Sequence, residues 1–226
     1  MVRQKTALFS LFLVLLMLSG CGFSSVKSSD FLAVPEIASE FKQLQSEIDK
    51  ELGLYGEYAA PVSGSRRQSV QLEDLNRDGT KEAIVFMRTA SEKPLKLCLF
   101  TQVEGRYTLK ASVEGEGSVF DCVYYYDTDR DGYSEIIVGR SLGSGVPKAV
   151  SVYSVSDDGF FEMMSNTYTG ISLFDIDDDG VNELIIVRHD LASQTAVAEV
   201  YRYSESDKAM LLSDSVNLSS GADSIL

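Results

Sequence analysis

Asp175-Ile-Asp177-Asp-Asp179-Gly180-Val-Asn-Glu183, together with the two stretches that repeat its pattern, decides the fold. The others are Asp74-Leu-Asn76-Arg-Asp78-Gly79-Thr-Lys-Glu82 and Asp127-Thr-Asp129-Arg-Asp131-Gly132-Tyr-Ser-Glu135. Their first aspartates are 53 and 48 residues apart. A near-regular period of that length marks an array of equivalent structural units.

Within each stretch, positions 1, 3 and 5 carry a carboxylate or, at Asn76, an amide. Alternate side chains of a tight loop converge on one point, and the Gly at position 6 permits a turn with φ > 0. Position 7 (Thr80, Tyr133, Val181) varies in chemistry, as expected where only a backbone carbonyl is a ligand. Glu82, Glu135 and Glu183 close the set at position 9. All these donors are hard oxygens, with no His or Cys among them. That selects Ca²⁺ over zinc or copper, and over Mg²⁺, which keeps its waters. Counting acids ranks the third loop strongest, with its extra Asp178. The first loop ranks weakest, with Asn76 between Arg77 and Lys81. Solvated Asp-Gly hairpin turns are the plain alternative, disfavoured by the threefold recurrence of the same filled positions.

An EF-hand needs a bidentate Glu at position 12, and here that position is Val85, Val138 and Ile186. The runs that follow, Ala83 to Phe86, Ile136 to Val138 and Leu184 to Val187, are those of buried strands. Val70 and Leu72, Val123 and Tyr125, Ile171 and Leu173 alternate ahead of the loops, so each loop joins two strands. Leu95 to Val103, Arg106 to Val113, Ala149 to Val155, Phe160 to Ser165 and Ala196 to Tyr203 also suit strands. Turns are marked at Gly105, Asp157-Asp158-Gly159 and Ser204 to Ser206. The sum is about four strands per period.

An Asp-x-Asp-x-Asp-Gly-x-x-Glu loop followed by an apolar strand resembles the FG-GAP/VCBS-type repeat, and integrin α-subunit propeller blades carry a similar calcium loop. The resemblance spans Arg66 to Leu226. It implies a four-stranded β-propeller blade for each repeat. It also implies calcium ligands at Asp74, Asn76, Asp78 and Glu82, with counterparts at Asp127, Asp129, Asp131 and Glu135 and at Asp175, Asp177, Asp179 and Glu183. This chain ends each loop in Glu where the integrin form has Asp. Three periods are fewer than the four to eight blades that close a propeller. The expected fold is therefore all-β, a propeller-type array of about three four-stranded blades, incomplete as a ring. Gly221 to Leu226 resembles Gly170 to Leu173, the lead-in to the third loop, and reads as the opening strand of a fourth unit. The alternatives are a fragment of a longer protein or a truncated open array.

Residues 1–20 read as a processing segment, with Arg3 and Lys5 before an apolar run from Ala7 to Leu18. That run is short for a membrane span. Leu18-Ser19-Gly20-Cys21 resembles a bacterial lipobox, which implies an acylated Cys21 as the mature N-terminus. Acyl chains would anchor the protein, palmitate-like, at the extracytoplasmic face of a bacterial membrane. Residues 21–35 then form the acylated Cys and tether, 36–64 a helix and loop, and 65–226 the repeat domain. Ile37, Phe41, Leu44, Ile48 and Leu52 share one helical face between Pro35 and Gly53. That short amphipathic helix packs on the first blade in the plain reading and binds a partner in the sharper one.

The net charge is −14, and losing Arg3 and Lys5 makes it about −16. Such a surface repels nucleic acid and anionic lipid. An apolar content of 44% suffices for a core. Cys98 and Cys122 sit in apolar runs and read as buried thiols, with a disulfide as the alternative.

Two further patterns bear on catalysis and on sugar binding. Gly139-Arg-Ser141-Leu-Gly143, with the single His189 downstream, fits the G-x-S-x-G order formally. A nucleophile elbow needs a helix after the Ser, and Gly143, Gly145 and Pro147 deny it. His189 reads as a strand-end surface residue. Tyr124-Tyr125-Tyr126 reads as strand packing or as a sugar-stacking platform.

These features converge on a lipid-anchored extracytoplasmic binding module with structural calcium and a glycan or envelope-protein ligand. The alternatives are an envelope polysaccharide-active enzyme or accessory with its site in missing blades, and a purely structural lipoprotein. No residue is assigned a catalytic role.

Overall fold

A computed structural model describes residues 39–156, 158–190 and 195–218. The signal segment, Cys21 and its tether, Asp157 and the closing stretch 219–226 lie outside the described residues, as do Pro35 and Ile37. No described helix is long and apolar enough to cross a membrane.

Helix α1 (Ser39–Leu52) buries Leu44 and Ile48 and half-buries Leu52. Phe41, expected on the same face, is 40% exposed. The helix stops at Gly53, whose φ of 59° suits a left-handed cap and whose N–H donates to Asp49 O at 3.1 Å. The strands are β1 (Glu57–Tyr58), β2 (Val70–Glu73), β3 (Glu82–Arg88), β4 (Leu95–Val103), β5 (Arg106–Gly115), β6 (Val119–Tyr126) and β7 (Glu135–Ser141). Then come β8 (Lys148–Ser156), β9 (Gly159–Tyr168), β10 (Gly170–Phe174), β11 (Glu183–Asp190), β12 (Thr195–Ser204) and β13 (Ala209–Leu218).

Twelve of these strands form three antiparallel meanders in chain order, β2 to β5, β6 to β9 and β10 to β13. The all-β expectation holds at this level: among the described residues there are three four-stranded meanders and one short helix. Two strands went unforeseen. β1 lies in the 53–64 segment read as loop, and pairs Glu57 and Tyr58 with Arg88 and Met87 of β3. From it the chain crosses to the second sheet, where the N–H groups of Val62 and Ser63 donate to Phe120 O and Asp121 O. β13 was hidden because most of its side chains are exposed, so it lacks the buried-strand pattern.

The repeat extends beyond the loops. Each sheet has a register shift between its third and fourth strands, at Leu99/Phe100, Val152/Tyr153 and Val200/Tyr201. Leu99, Val152 and Val200 follow one another at the same intervals as the loops, 53 and 48 residues. The three sheets can therefore be compared residue by residue.

The sheets share their cores in series. Ile84, Phe86, Leu97 and Leu99 of the first sheet meet Phe120, Val123, Ile136 and Val138 of the second. Phe86 and Phe120 pack edge to face, centroids 5.0 Å apart, an arrangement worth about 0.5–1.5 kcal/mol beyond burial. Ile137, Val150 and Val152 face the other way and meet Leu184, Ile186 and Tyr201. The free side of the first sheet, Ala83, Val85 and Met87, is covered by Leu44 and Ile48 of α1. This explains why β3 and β7 read as continuous apolar runs: both their faces are buried. The outer side of the third sheet lacks such cover among the described residues. Ile84, Ile137 and Ile185 are register equivalents; the first two are 0% exposed and Ile185 is partly exposed. Phe174 and Leu211, on that outer side, are 62% and 45% exposed.

Cys98 and Cys122 are free, buried thiols in different cores. Burial pushes the Cys98 thiol up to about 12, so it is inert.

Candidate metal centre

Each loop joins the first and second strands of its sheet. A turn residue at position 4 (Arg77, Arg130, Asp178) takes φ of 57°, 64° and 57°, and the Gly at position 6 takes 87°, 94° and 87°. No heavy atom lies within 4 Å of where a Cβ would sit on Gly79, Gly132 or Gly180. These positions are thus glycine for backbone conformation and not for want of space. The position-7 N–H groups of Thr80, Tyr133 and Val181 donate to Asp78, Asp131 and Asp179 Oδ1 at 2.7, 2.7 and 2.8 Å. These Asx turns draw the fifth-position acids toward their own backbone.

The closing glutamates are the most buried acids of the loops. Glu82, Glu135 and Glu183 are 6%, 0% and 4% exposed, because each begins a central strand. One oxygen of each has the same role. Oε2 accepts the position-2 N–H of Leu75 (2.9 Å), Thr128 (2.6 Å) and Ile176 (2.8 Å), which ties the two ends of the loop together. The other oxygen, Oε1, is where the loops part.

In the second loop, Glu135 Oε1 is buried without a hydrogen-bond partner, and so is Asp127 Oδ1. Oxygens of Asp127, Asp129 and Glu135 lie within 4.8 Å of one another. Burial, with Asp129 and Asp131 adding repulsion, pushes the Glu135 carboxyl up to about 7 against the pull of its Thr128 hydrogen bonds. Burial likewise raises Asp129. An assembly of acids with orphaned buried oxygens favours either protonation or a cation. Thr128 was not foreseen: its Oγ also donates to Glu135 Oε2, at 2.7 Å. Its position holds Leu75 and Ile176 in the other loops, so a hydroxyl there is the one signal the sequence carried.

In the third loop Asp175, Asp177 and Glu183 converge in the same way, and a guanidinium joins them. Arg202 Nε donates to Glu183 Oε1 at 3.0 Å and its NH2 to Asp177 Oδ2 at 3.1 Å. Asp179 is held by Arg130 at 2.9 Å. In the first loop, Asn76 Nδ2 donates to Asp78 Oδ2 at 2.9 Å, and burial raises Glu82. No group of three acids forms there among the described residues. Asp78, by contrast, is lowered, chiefly by the Thr80 N–H.

The loops also touch one another. Ser134 N–H donates to Leu75 O at 2.7 Å, Arg77 NH2 meets Asp127 Oδ2 at 3.2 Å, and Asn182 N–H donates to Tyr126 OH at 2.9 Å. The tyrosine triplet is accordingly committed to packing. Tyr125 lies against the first core with its OH on Gln71, and Tyr124 lies against the second.

At the far end of β11 from Glu183, a groove of about 470 Å³ is lined by Pro147, Tyr168, Thr169, Arg188, His189 and Val197. Arg188 pairs with Glu199, and His189 is exposed, as a strand-end residue should be. Beside the groove Asp121 is buried among Lys148 (2.8 Å), Tyr168 OH (2.6 Å) and Ser63 (3.2 Å). Burial raises this acid, but those donors outweigh it and leave it low. Ser141 ends β7 and its carbonyl caps Ser118, with no helix following, so the G-x-S-x-G reading has no elbow.

No family model matches the chain, and no curated protein is significantly similar to it. Among solved structures it is similar to the exotype rhamnogalacturonan lyase YesX, with TM-score 0.43 and 12% identity over 72% of this chain and 33% of that one. It is also similar to the Bacillus licheniformis rhamnogalacturonan lyase PL11, with TM-score 0.43 and 13% identity over 74% and 35%. The chain thus spans about a third of the length of these structures.

Proposed function

We propose that the chain is an extracytoplasmic lipoprotein, anchored through Cys21, whose sheets are propeller-type blades of the FG-GAP/VCBS kind clamped by calcium, and that it acts as a binding module. One observation carries the calcium reading: Glu135 is wholly buried with Oε1 unpartnered, beside the unpartnered Asp127 Oδ1. A buried carboxylate oxygen without a donor is costly. A hard cation held by Asp127, Asp129 and Glu135 supplies the missing charge. The ion ties the loop's start to the head of β7 and so fixes the β6–β7 hairpin; its role is structural. Isothermal titration of the metal-free protein with calcium tests this. Binding that is abolished by Asp129→Asn supports it, and no heat at any concentration contradicts it.

The ligand of the module is a separate matter. The groove beside Arg188 and His189 offers the exposed side of a guanidinium and an imidazole, which suit an acidic glycan. Glycan-array binding that is lost in His189→Ala would place recognition there. Turnover of an acidic polysaccharide by the purified protein would favour the polysaccharide-active alternative.

A further inference from the structure

We infer that Arg202 is a built-in cation of the third loop, so that the second and third loops are unequal sites and the second takes calcium before the third. This inference rests on the calcium reading above and deepens it.

The guanidinium meets three partners: Glu183 Oε1 at 3.0 Å, Asp177 Oδ2 at 3.1 Å and Ser213 Oγ at 3.0 Å. Asp177 and Glu183 belong to the group whose oxygens lie within 4.8 Å of one another, so the charge sits where a metal ion would draw its ligands. Asp179 is engaged as well, by Arg130 through its carboxylate at 2.9 Å and its carbonyl at 2.6 Å. Asp175 is left, and its two oxygens accept the N–H groups of Asp179 and Gly180 at 3.1 and 2.8 Å. Every acid that the sequence places in the shell thus has a partner. In the second loop two buried oxygens have none.

The repeat shows that this is particular to the third sheet. Arg202 lies two residues beyond the β12 register shift, and the same offset gives Thr101 on β4 and Ser154 on β8. Neither is a cation, and neither side chain is long enough to stand in for an arginine. The third sheet has therefore put a guanidinium where its siblings have a hydroxyl. Two charge-assisted hydrogen bonds in a fork hold the loop in shape without metal. A divalent ion entering there must break those bonds or share the site with a like charge. The cost is at least roughly tenfold in affinity. The loop richest in acid is thus poorer than the second loop at recruiting an ion from solution, and the second fills before it.

The test is a calcium titration by calorimetry on the full chain, wild type against Arg202→Ser, which copies the second sheet's residue. The expected result is a new or strengthened class of site, at least about tenfold tighter than in wild type, with the second loop's class unchanged. The new class should vanish when Asp177→Asn is added. Should Arg202→Ser not fold, Arg202→Gln keeps the size, removes the charge and is expected to show the same gain. Unchanged affinities and stoichiometry in a folded, neutral variant would overturn the inference. Absence of binding in wild type with a gain in the variant would sink calcium at the second loop and leave the role of Arg202 standing.

Discussion

The second and third loops carry the same acids at positions 1, 3, 5 and 9, yet their surroundings assign them different chemistry. In the second, a wholly buried Glu135 keeps one oxygen without a partner and its carboxyl rises to about 7. In the third, Glu183 has the matching hydrogen bond to the loop's start, and Arg202 occupies its other oxygen. Identical ligand spelling therefore does not make identical sites. A guanidinium contributed by a neighbouring strand is enough to occupy in one loop the glutamate oxygen that the other leaves without a partner.

The sharpest way to break this comparison is to neutralise the two glutamates in turn. Glu135→Gln keeps an acceptor for Thr128 N–H but removes the buried charge. It is expected to raise stability in metal-free buffer at pH 8 and to lower it in saturating calcium, each by about 1–3 kcal/mol in urea unfolding. Glu183→Gln is expected to lower stability in metal-free buffer, because Arg202 loses its partner, and to respond little to calcium. The same sign for both variants in both buffers would erase the distinction.

A somewhat smaller effect concerns pH. Glu135 is raised in the folded protein above its ordinary value of 4.5, to about 7. Its contribution to stability is therefore fully present below pH 4.5 and is lost as pH rises through 7. Metal-free protein should thus lose part of its stability between about pH 4.5 and 7 through this group. Saturating calcium, which binds the ionised form, should remove that loss. Glu135→Gln should flatten the same stretch of a pH series of melts, and Glu183→Gln should not.

The smallest effect is at the link between loops. Arg77 meets Asp127 from a largely exposed position, so Arg77→Ala should change stability by less than about 1 kcal/mol. A larger loss would mean that contacts between loops, and not ions within them, hold the array together.

Much of this architecture was legible in the chain. The Asp-x-Asp-x-Asp-Gly-x-x-Glu spacing marks a loop, and the apolar runs after it mark strands, because those signals are local. β4 was read to its very ends for the same reason, Leu95–Val103. β13 was not, because its exposed outer face breaks the alternation that betrays a strand. Arg202 was invisible for a different reason. Its partners Asp177 and Glu183 lie 25 and 19 residues away, and only the pairing of β11 with β12 brings them within reach. Counting acids ranks the third loop first, whereas the folded surroundings place a positive charge among them.

The central claim is that calcium clamps these loops, and thermal unfolding of the purified protein in calcium and then in chelator tests it most directly. At calcium a hundredfold above the dissociation constant, one filled site contributes about 2.7 kcal/mol. In a chain of this size that raises the midpoint by roughly 5–10 °C. A rise of that order, abolished in Asp129→Asn, is the predicted result. A cooperative transition at the same temperature in both buffers would contradict it and reduce the loops to ordinary acidic turns.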